Sequence, residues 1–358
     1  MRRGIGMREP EIVVTYRRRL TATPLLCGVG VLLSACGARP PPAPREAPPV
    51  VDPCRVGVYS EFVSLGEARA ALPALARHGL ALYRRVMPSD VGSDELTALM
   101  REASMLGVCV RPWLVADTVD GYWLNEDNLD VFEREVDRLL AWRRSAGLDF
   151  DWLTLDLEPG WDYTHALLEA GAKPGAERFT AMLQLLASHV RPAEFERHRE
   201  RLSALVEKVQ ASGLKVHAVT YPLVLDDATD GDDRLQDALD IPVRGVPWDE
   251  VSFMVYRSAL ALYSPGPFGP DLVGTYAAEA RRQYGATAGL DMGVIGRDPV
   301  GGAEGYLTPD VLETDVGAVK AAGVDRLHLY ALESALERTD AERWLSFGES
   351  AALAGVPA

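Results

Sequence analysis

Two carboxylates lie two residues apart in the segment 149–160, which reads DFDWLTLDLEPG. If the segment is a β-strand, its side chains alternate between two faces, so that Asp156 and Glu158 share one face with Thr154 and leucines occupy the other. Two acids on one face of an apolar strand are costly to bury without a function. The Pro-Gly pair that follows ends the strand, so Glu158 lies at its carboxyl end, where parallel α/β proteins bind ligands.

This pair of acids predicts acid–base chemistry on a glycosidic bond. A carboxylic acid near apolar walls has a raised pKa and can protonate a leaving group, while a neighbouring carboxylate stays ionised. Glycosidases divide the work between two carboxyl groups in this way. The competing interpretation is that Asp156 and Glu158 form salt bridges at the rim of a barrel and only stabilise the fold.

The elements that must position these acids follow one another as eight short β-rich segments separated by helical patterns. Eight strands, each followed by a helix, is the count of a (β/α)8 barrel, for which about 250 residues is typical. We therefore predict an α/β fold, a single-domain (β/α)8 TIM barrel over residues 55–350 with insertions after strands 4 and 5. A doubly wound open sheet is the alternative, but no glycine-rich phosphate loop follows the first strand. The predicted strands are 55–60, 81–87, 108–115, 152–158, 214–221, 250–257, 289–296 and 325–332.

A targeting segment precedes the barrel. Three consecutive arginines are followed by the apolar run 20–33, which is too short to span a bilayer, and the sequence LSAC ends at Cys36. That ending resembles the lipobox of bacterial lipoproteins, and the resemblance implies cleavage before Cys36 and attachment of lipid to it. Residues 1–35 are then a signal peptide, and an uncleaved anchor is the alternative.

The Pro-rich residues 36–54 are predicted to be an extended tether, and residues 351–358 a C-terminal tail. Gly37 provides no inner-membrane retention signal, which favours the outer membrane in a cell that has two. We therefore expect a lipid-anchored protein of the bacterial cell envelope, on its periplasmic or its surface face.

Charge and cysteine spacing exclude other classes. Residues 1–35 contain six of the 37 basic and two of the 52 acidic residues, so the rest of the chain has a net charge of −19. Such a chain repels polyanions, which excludes nucleic acid as a partner. No cysteine, histidine or serine motif indicates a metal or another cofactor. Cys54 and Cys109 are assigned to strands that are not neighbours, so we expect two free buried thiols.

Three segments resemble one known family. Residues 151–158 are similar to the DxxDxDxE signature of the family-18 glycoside hydrolases, the chitinases and endo-N-acetylglucosaminidases, with Thr154 in place of the second Asp. Residues 254–257, MVYR, resemble the M-x-Y-D of that family, with Arg257 in place of the Asp. Residues 293–297, GVIGR, resemble its G-x-P-x-Y-G-R but are shorter.

The resemblance implies a role for each matching residue. Glu158 matches the general acid, and Asp156 matches the carboxylate that orients the N-acetyl group of the substrate, whose carbonyl oxygen is the nucleophile. Tyr256 matches the tyrosine that hydrogen-bonds the same group. Thr154 supplies only a hydroxyl beside Asp156, and Arg257 places a cation where the family has an anion, which suggests a substrate with a carboxylate or a repurposed site.

Strand ends supply further candidates for substrate binding, because aromatic faces stack on sugar rings and arginines bind carboxylates. They are Tyr59, Arg84, Arg111, Trp113, Tyr221, Arg257, Tyr330 and Glu333.

The sequence thus predicts an enzyme, a glycoside hydrolase that acts on N-acetylhexosamine-containing glycans by substrate-assisted retaining hydrolysis. Its expected partners are a glycan or sugar ligand and, through Cys36, a lipid membrane. One alternative is a glycan-binding barrel without turnover. Another is a retaining glycosidase with two carboxylates, in which Glu61 or Glu333 is the nucleophile. A purely structural envelope protein is a third.

Overall fold

Eight parallel strands close into a barrel in the order β1 to β8, which confirms the predicted (β/α)8 TIM barrel. The computed structural model describes residues 54–230, 232–258, 269–297 and 304–349. The predicted signal peptide, Cys36 and nearly all of the tether and tail lie outside these residues. The strands are β1 (Val56–Ser60), β2 (Ala81–Val86), β3 (Val110–Leu114), β4 (Trp152–Leu157), β5 (Lys215–Thr220), β6 (Glu250–Met254), β7 (Ala288–Met292) and β8 (Arg326–Leu329).

Helices alternate with the strands, and more than one described helix follows β4, β5 and β8. Three helices follow β4, one more than the sequence pattern predicted, and none of the described helices is long and apolar enough to cross a bilayer. The helices are α1 (Leu65–His78), α2 (Asp94–Met105), α3 (Leu129–Ala146), α4 (Trp161–Ala172), α5 (Gly175–His189), α6 (Pro192–Ala211), α7 (Leu223–Asp230), α8 (Arg234–Ala238), α9 (Pro270–Tyr284), α10 (Pro309–Ala321), α11 (Leu332–Leu336) and α12 (Ala341–Leu345).

Local sequence signals fix the helix ends, as α1 illustrates. Ser64 accepts a hydrogen bond from the backbone N–H of Glu67, whose side chain bonds back to Ser64, and such a cap contributes about 1 kcal/mol. Gly79 ends the helix with φ 63°, a conformation that glycine adopts without steric cost. The face between these ends buries Leu72 and Leu75 against the barrel.

Strand alternation divides the interior into two layers. Leu153, Leu155 and Leu157 face outward and pack in the large apolar cluster between the sheet and the helices. Trp152, on the opposite face of β4, packs in the lumen with Tyr59 and other aromatic side chains. The same alternation turns the acids of β4 inward, as predicted from the sequence.

A disulfide joins Cys54 to Cys109, with 5.6 Å between their Cα atoms, so the expectation of two free thiols was wrong. The cysteines precede β1 and β3, the two neighbours of β2. Ala81, the first residue of β2, packs in the same lumen cluster and has only a methyl side chain, which leaves room for the sulfur atoms to meet across β2. The bridge lies at the amino-terminal end of the barrel, opposite the candidate site.

Candidate active site

Glu158 and Asp156 lie together at the carboxyl end of β4. Both are largely buried, with 8% and 4% of their surface exposed. Glu158 Oε2 accepts a hydrogen bond of 2.5 Å from the hydroxyl of Tyr221, which directly follows β5. Asp156 pairs in register with Val219, and Tyr221 lies two residues further along, so strand alternation itself brings this tyrosine beside Glu158.

Asp156 is the buried acid whose charge is least compensated. Burial raises its pKa well above the usual range, and the nearby carboxylates of Glu158, Glu61 and Asp291 raise it further. The indole of Trp113 lies close enough to lower the pKa, but in the described part of the chain Asp156 Oδ1 accepts no well-formed hydrogen bond. Its surroundings therefore disfavour the ionised form of Asp156, and a hydrogen-bond donor on a ligand would favour that form.

Glu61 brings a third carboxylate to the same place. Its Oε1 accepts a 2.6 Å hydrogen bond from Tyr122, and its Oε2 accepts one from Tyr330. Burial raises the pKa of Glu61, and the two tyrosine hydroxyls act against that rise. Behind it, Glu333 Oε1 accepts from the backbone N–H groups of Glu61 and Phe62, at 3.4 and 3.3 Å. Burial also raises the pKa of Glu333.

Tyr256 follows β6 and projects into the same site. Burial raises the pKa of its hydroxyl well above the usual range, and so do the charges of Asp291 and Asp156, so the phenol stays protonated and can donate a hydrogen bond. Gly293 makes room for the ring, since a Cβ at this position would lie 3.0 Å from two ring atoms of Tyr256. Tyr330 packs beside it, with ring centroids 5.7 Å apart. We call Glu61, Asp156, Glu158 and Tyr256 the mouth cluster.

An aromatic surface borders the mouth cluster. Trp123 and Trp161 stack with centroids 5.4 Å apart and 26° between their planes, and Tyr122 meets Trp123 edge-on at 5.2 Å. Such faces bind the apolar faces of sugar rings. Tyr122 and Trp123 come from the long connection between β3 and α3, and the sequence analysis missed them because that connection carries no strand or helix periodicity. Tyr163, in contrast, donates to the carbonyl of Ala238 and anchors the insertion.

Deeper in the barrel, opposite charges pair completely. Arg111 and Arg326 each donate to Glu250 Oε2 at 2.8 Å, and His328 Nδ1 lies 2.6 Å from Asp291 Oδ1. Burial alone would raise the pKa of Glu250, but Arg111, His217 and His328 lower it well below its usual range. The two carboxylates raise the pKa of His328 despite its burial. We call Arg111, Glu250, Asp291, Arg326 and His328 the lumen network.

Two residues of this network, together with His217, have the composition of a metal site. The ligand atoms of His217, Glu250 and His328 lie within 4.8 Å of one another, and all three side chains are buried. A metal ion there would meet the two guanidinium groups on Glu250, and His217 Nε2 already lies 2.7 Å from Ser252 Oγ. The donor set therefore does not fit a cation, and we assign these residues a structural role.

Six of the eight predicted substrate-binding residues face the lumen or the mouth, and Arg111 is the one at the bottom of the lumen. Tyr59 and Trp113 lie in the lumen, where the Tyr59 hydroxyl donates to Asp291 Oδ1 at 3.0 Å. The others are at the mouth itself: Tyr221 on Glu158, Tyr330 on Glu61, and Glu333 behind Glu61.

The three predicted arginines do not reach the mouth. Arg84 points to the outer face of β2, where it donates to the carbonyls of Ser60 and Val63, and its neighbour Arg85 faces the mouth instead. Arg111 lies at the bottom of the lumen on Glu250.

Arg257 alternates with Tyr256 and therefore points away from the lumen. It binds both carboxylate oxygens of Asp315, and Tyr306 donates to the same acid at 2.7 Å. The expectation that Arg257 contacts a carboxylate of the substrate is thus corrected. Thr154, the other departure from the family signature, places its hydroxyl 3.3 Å from His217 Nδ1.

Comparisons with known proteins show no family for this chain. No family model matches the chain, and no curated protein matches it. Solved structures match over most of their length at low identity.

The glycoside hydrolase domain of PgaB (BpsB) from Bordetella bronchiseptica is 14% identical, with a TM-score of 0.49, and the match covers 81% of this chain and 97% of that one. A chitinase from Chromobacterium violaceum is 13% identical, with a TM-score of 0.49 and coverages of 82% and 98%. A D-allulose 3-epimerase from Methylomonas sp. is 11% identical, with a TM-score of 0.45 and coverages of 82% and 96%. At this level the matches assign no reaction, so the function has to be argued from the site.

Proposed function

We propose that the protein is a glycoside hydrolase that cleaves N-acetylhexosamine-containing glycans by a substrate-assisted retaining mechanism. The observation that carries the proposal is the convergence of Glu158, Asp156 and Tyr256 at the carboxyl end of the barrel, the end at which TIM-barrel enzymes act. The stacked pair Trp123 and Trp161 at the rim supplies a surface for sugar rings.

The proposed reaction has two steps, each with a balanced proton transfer. In the first, Glu158 gives its proton to the glycosidic oxygen as the bond from that oxygen to the anomeric carbon breaks. The carbonyl oxygen of the substrate's own N-acetyl group forms the new bond to that carbon. In the second, Glu158 takes a proton from water as the water oxygen attacks the anomeric carbon. The bond between that carbon and the acetamido oxygen breaks, which restores the acetamido group.

Asp156 and Tyr256 position the acetamido group. The Asp156 carboxylate accepts a hydrogen bond from the acetamido N–H, which increases the nucleophilicity of the carbonyl oxygen and stabilises the cationic intermediate. The Tyr256 hydroxyl donates a hydrogen bond to the same group. Burial and like charges raise the pKa of Asp156, and a hydrogen bond from the substrate N–H acts in the opposite direction, towards the ionised form.

The direct test is hydrolysis of chromogenic N-acetylglucosaminide oligomers and of peptidoglycan. We expect release of product by the wild type, and a loss of at least ~10²-fold in kcat for Glu158→Gln. Glu133→Gln on the outer helix α3, where Glu133 pairs with Arg201, is the matched control and should retain full activity. Equal activity in Glu158→Gln and the wild type would remove Glu158 as the proton donor.

A retaining glycosidase with two carboxylates is the second candidate, because Glu61 lies close enough to Asp156 to raise its pKa. In that mechanism Glu61 would form a covalent bond to the sugar. Glu61→Gln would then abolish turnover as completely as Glu158→Gln, whereas Asp156→Asn would not. The substrate-assisted mechanism predicts a severe loss of turnover in Asp156→Asn.

A third possibility is a glycan-binding barrel without turnover. It would be supported if sugars bind both the wild type and Glu158→Gln and neither protein releases product.

We also propose that the protein is lipid-anchored in the cell envelope through Cys36. The apolar run that ends in LSAC supports this, and so does the disulfide, because disulfides persist in oxidising compartments. When it is expressed in a bacterial host, the Cys36→Ala variant should no longer be labelled by radioactive palmitate. In detergent phase partitioning it should no longer be found in the detergent phase. Labelling that persists in this variant would contradict the assignment.

A further inference from the structure

Asp156 lacks the partner that the family signature provides. In the signature that residues 151–158 resemble, an acid lies two residues before the position of Asp156, and in this chain that position is Thr154. Thr154 does not take over the role, because its hydroxyl lies 3.3 Å from His217 Nδ1 on the neighbouring strand β5. Asp156 Oδ1 is buried and has no hydrogen-bond partner among the described residues. A hydrogen-bond donor for this oxygen has to come from another strand.

The tyrosine hydroxyls of the barrel interior do not serve Asp156 either. Tyr59 is within electrostatic range of Asp156, but its hydroxyl donates to Asp291 Oδ1 at 3.0 Å. The hydroxyl of Tyr256 is the donor that the proposed mechanism assigns to the acetamido group of the substrate. A donor that holds Asp156 itself is therefore expected in another kind of side chain.

Trp113 on β3 is placed to be that donor. It pairs in register with Thr154 on the neighbouring strand β4, and its ring packs inward in the aromatic cluster of the lumen. Asp156 follows on the same face of β4, about 7 Å beyond Thr154, a separation that aromatic side chains on neighbouring strands can reach. The indole lies near enough to Asp156 to act against the rise in its pKa. Trp113 Nε1 is buried and, within the described part of the chain, has no hydrogen-bond partner.

A buried donor and a buried acceptor, both without partners, thus lie close to each other. Each costs free energy while it is unpaired, and one hydrogen bond between them removes both costs. Catalytic hydrogen bonds are often long or poorly aligned in an empty site and tighten when the substrate binds. The ring of Trp113 is held for this purpose by an edge-on contact with Tyr59, with 5.4 Å between the ring centroids.

We propose that Trp113 is a positioning residue: in the substrate complex its indole N–H donates to Asp156 Oδ1 and holds the carboxylate so that its other oxygen meets the acetamido N–H. The inference rests on the proposed function, because it names what orients the acid that the proposed mechanism uses. In this role Trp113 acts on the sugar through Asp156, and not as the stacking surface that was expected from the sequence. An N–H donor favours the ionised carboxylate, whereas a second acid would compete with it for a proton.

The surroundings of Asp156 make this donor measurable. Val219, the register partner of Asp156 on β5, is apolar, and Tyr59 and Tyr256 stay protonated because burial and nearby acids raise the pKa of each hydroxyl. The charged groups that act on Asp156 all raise its pKa, and they are Glu158 on β4 itself, Glu61 after β1 and Asp291 on β7. Loss of the indole N–H should therefore raise the pKa of Asp156 further.

The first test removes the N–H and follows activity against pH. Trp113→Phe keeps an aromatic ring, and an amino acid with a benzothiophene ring in place of the indole, inserted at position 113, keeps the full shape and has sulfur instead of the N–H. With the full chain and chromogenic N-acetylglucosaminide oligomers, we expect the acid limb of kcat/KM to move up by about 1 pH unit in both, the shift that one hydrogen bond to a charged group supports. At a pH below the limb, kcat/KM should fall about 10-fold.

Trp142→Phe is the matched control. The indole N–H of Trp142 donates to Thr97 Oγ1 at 3.2 Å between the outer helices α3 and α2, far from the acids of the mouth cluster in the chain topology. This variant also loses a buried indole N–H, and its acid limb should stay where it is in the wild type. Circular dichroism and the melting temperature check that each variant is folded.

The second test does not depend on turnover. A raised pKa in the folded protein lowers stability as the pH rises above the unfolded pKa, and a further rise deepens that loss. The ratio of folded to unfolded Trp113→Phe, relative to the wild type, should therefore be about 10-fold lower at pH 9 than at pH 4 in urea denaturation. In an Asp156→Asn background this pH dependence should vanish, because the acid is gone. Loss of ring packing alone lowers stability equally at both pH values.

The outcomes separate this inference from the proposed function. Hydrolysis with an unmoved acid limb in both substitutions at position 113 overturns the role of Trp113 and leaves the glycosidase intact. If the wild type cleaves no substrate, the proposed function fails, and the stability measurement decides the inference. A pH-dependent loss that Asp156→Asn removes supports the hydrogen bond, and a loss that is equal at both pH values overturns it. If Trp113→Phe does not fold, the benzothiophene variant serves for both tests.

Discussion

The lumen network and the mouth cluster are built from the same kinds of side chain, carboxylates among aromatic rings, but they differ in how charge is compensated. At the bottom, Glu250 is bonded to Arg111 and Arg326, and Asp291 accepts hydrogen bonds from Tyr59 and Ser252. At the mouth, Glu158 and Glu61 accept hydrogen bonds from tyrosine hydroxyls, and the charges of Glu158, Glu61 and Asp291 add to burial in raising the pKa of Asp156. Both groups lie inside the same closed barrel, so the fold alone does not explain the difference.

The difference indicates which end of the barrel is functional. A buried carboxylate that is paired with cations has its charge compensated without a ligand, and its removal leaves unpaired cations in the core. A buried carboxylate that lacks a cation is held at a cost in stability that a ligand can recover. The mouth cluster fits the second description, and this contrast can be measured directly as stability.

Glu250→Gln should cause the largest loss of stability. The substitution leaves the guanidinium groups of Arg111 and Arg326 buried without their counterion, which we expect to lower the free energy of unfolding by about 3 to 5 kcal/mol. Urea denaturation at pH 7 measures the loss. Glu133→Gln, which breaks an ion pair on the surface, should cost no more than about 1 kcal/mol. A loss of that small size in Glu250→Gln would mean that the lumen network does not hold the barrel together.

Asp156→Asn should change stability in the opposite direction. Because the pKa of Asp156 is raised in the folded protein, the wild type loses stability as the pH rises above the unfolded pKa of roughly 4. The asparagine variant has no such loss and should be more stable than the wild type by about 1 kcal/mol or more at pH 7, with little difference at pH 4. Unfolding curves at the two pH values test this, and a variant that is less stable at pH 7 would remove the contrast between mouth and lumen.

Glu126→Gln tests whether a raised pKa alone marks the functional site. Burial raises the pKa of Glu126 to about 8, with a further contribution from Asp240, but Glu126 lies beside His198 at the base of the insertion. The wild type should lose stability between about pH 5 and pH 8 as Glu126 ionises in the folded state, by on the order of 1 kcal/mol after solvent screening is considered.

The glutamine variant should lack that part of the pH dependence and keep the full rate of turnover. The pH dependence of unfolding and a hydrolysis assay on the same preparation provide both measurements. A strong loss of activity in Glu126→Gln would extend the active site to the insertion.

The sequence was sufficient to predict the barrel, because the spacing of the strands and the alternation of their side chains are local signals. Segment 152–158 was predicted as a strand, and β4 is Trp152–Leu157. Segment 250–257 was predicted too long, because the backbone N–H of Val255 turns back to the carbonyl of Phe253 and ends the strand. Helix α4 was missed, since its apolar residues follow the Pro-Gly turn without a clear start signal.

The site was predictable only where alternation applied to a single strand. Thr154, Asp156 and Glu158 could be placed on one face without knowledge of their neighbours. The sequence of β2, ALYRRV, has an arginine on each face, so the choice of Arg84 over Arg85 required the closed barrel. The contact between Glu61 and Tyr122 joins two connections that are far apart in sequence, and no local pattern encodes it.

The position of the disulfide has a mechanical consequence. Cys54 lies two residues before the start of β1, and its partner Cys109 directly precedes β3. A force that pulls on the segment before Cys54 therefore passes through the sulfur atoms into β3, as well as along the chain into β1. Strand β1 is held by hydrogen bonds to β2 and β8 and by the packing of Val56 and Val58 in the core, contacts that a pull at its end would open one after another. The covalent bridge shares that load between two strands, so a chain held by its amino-terminal segment keeps Tyr59 and Glu61 in place while it is under tension.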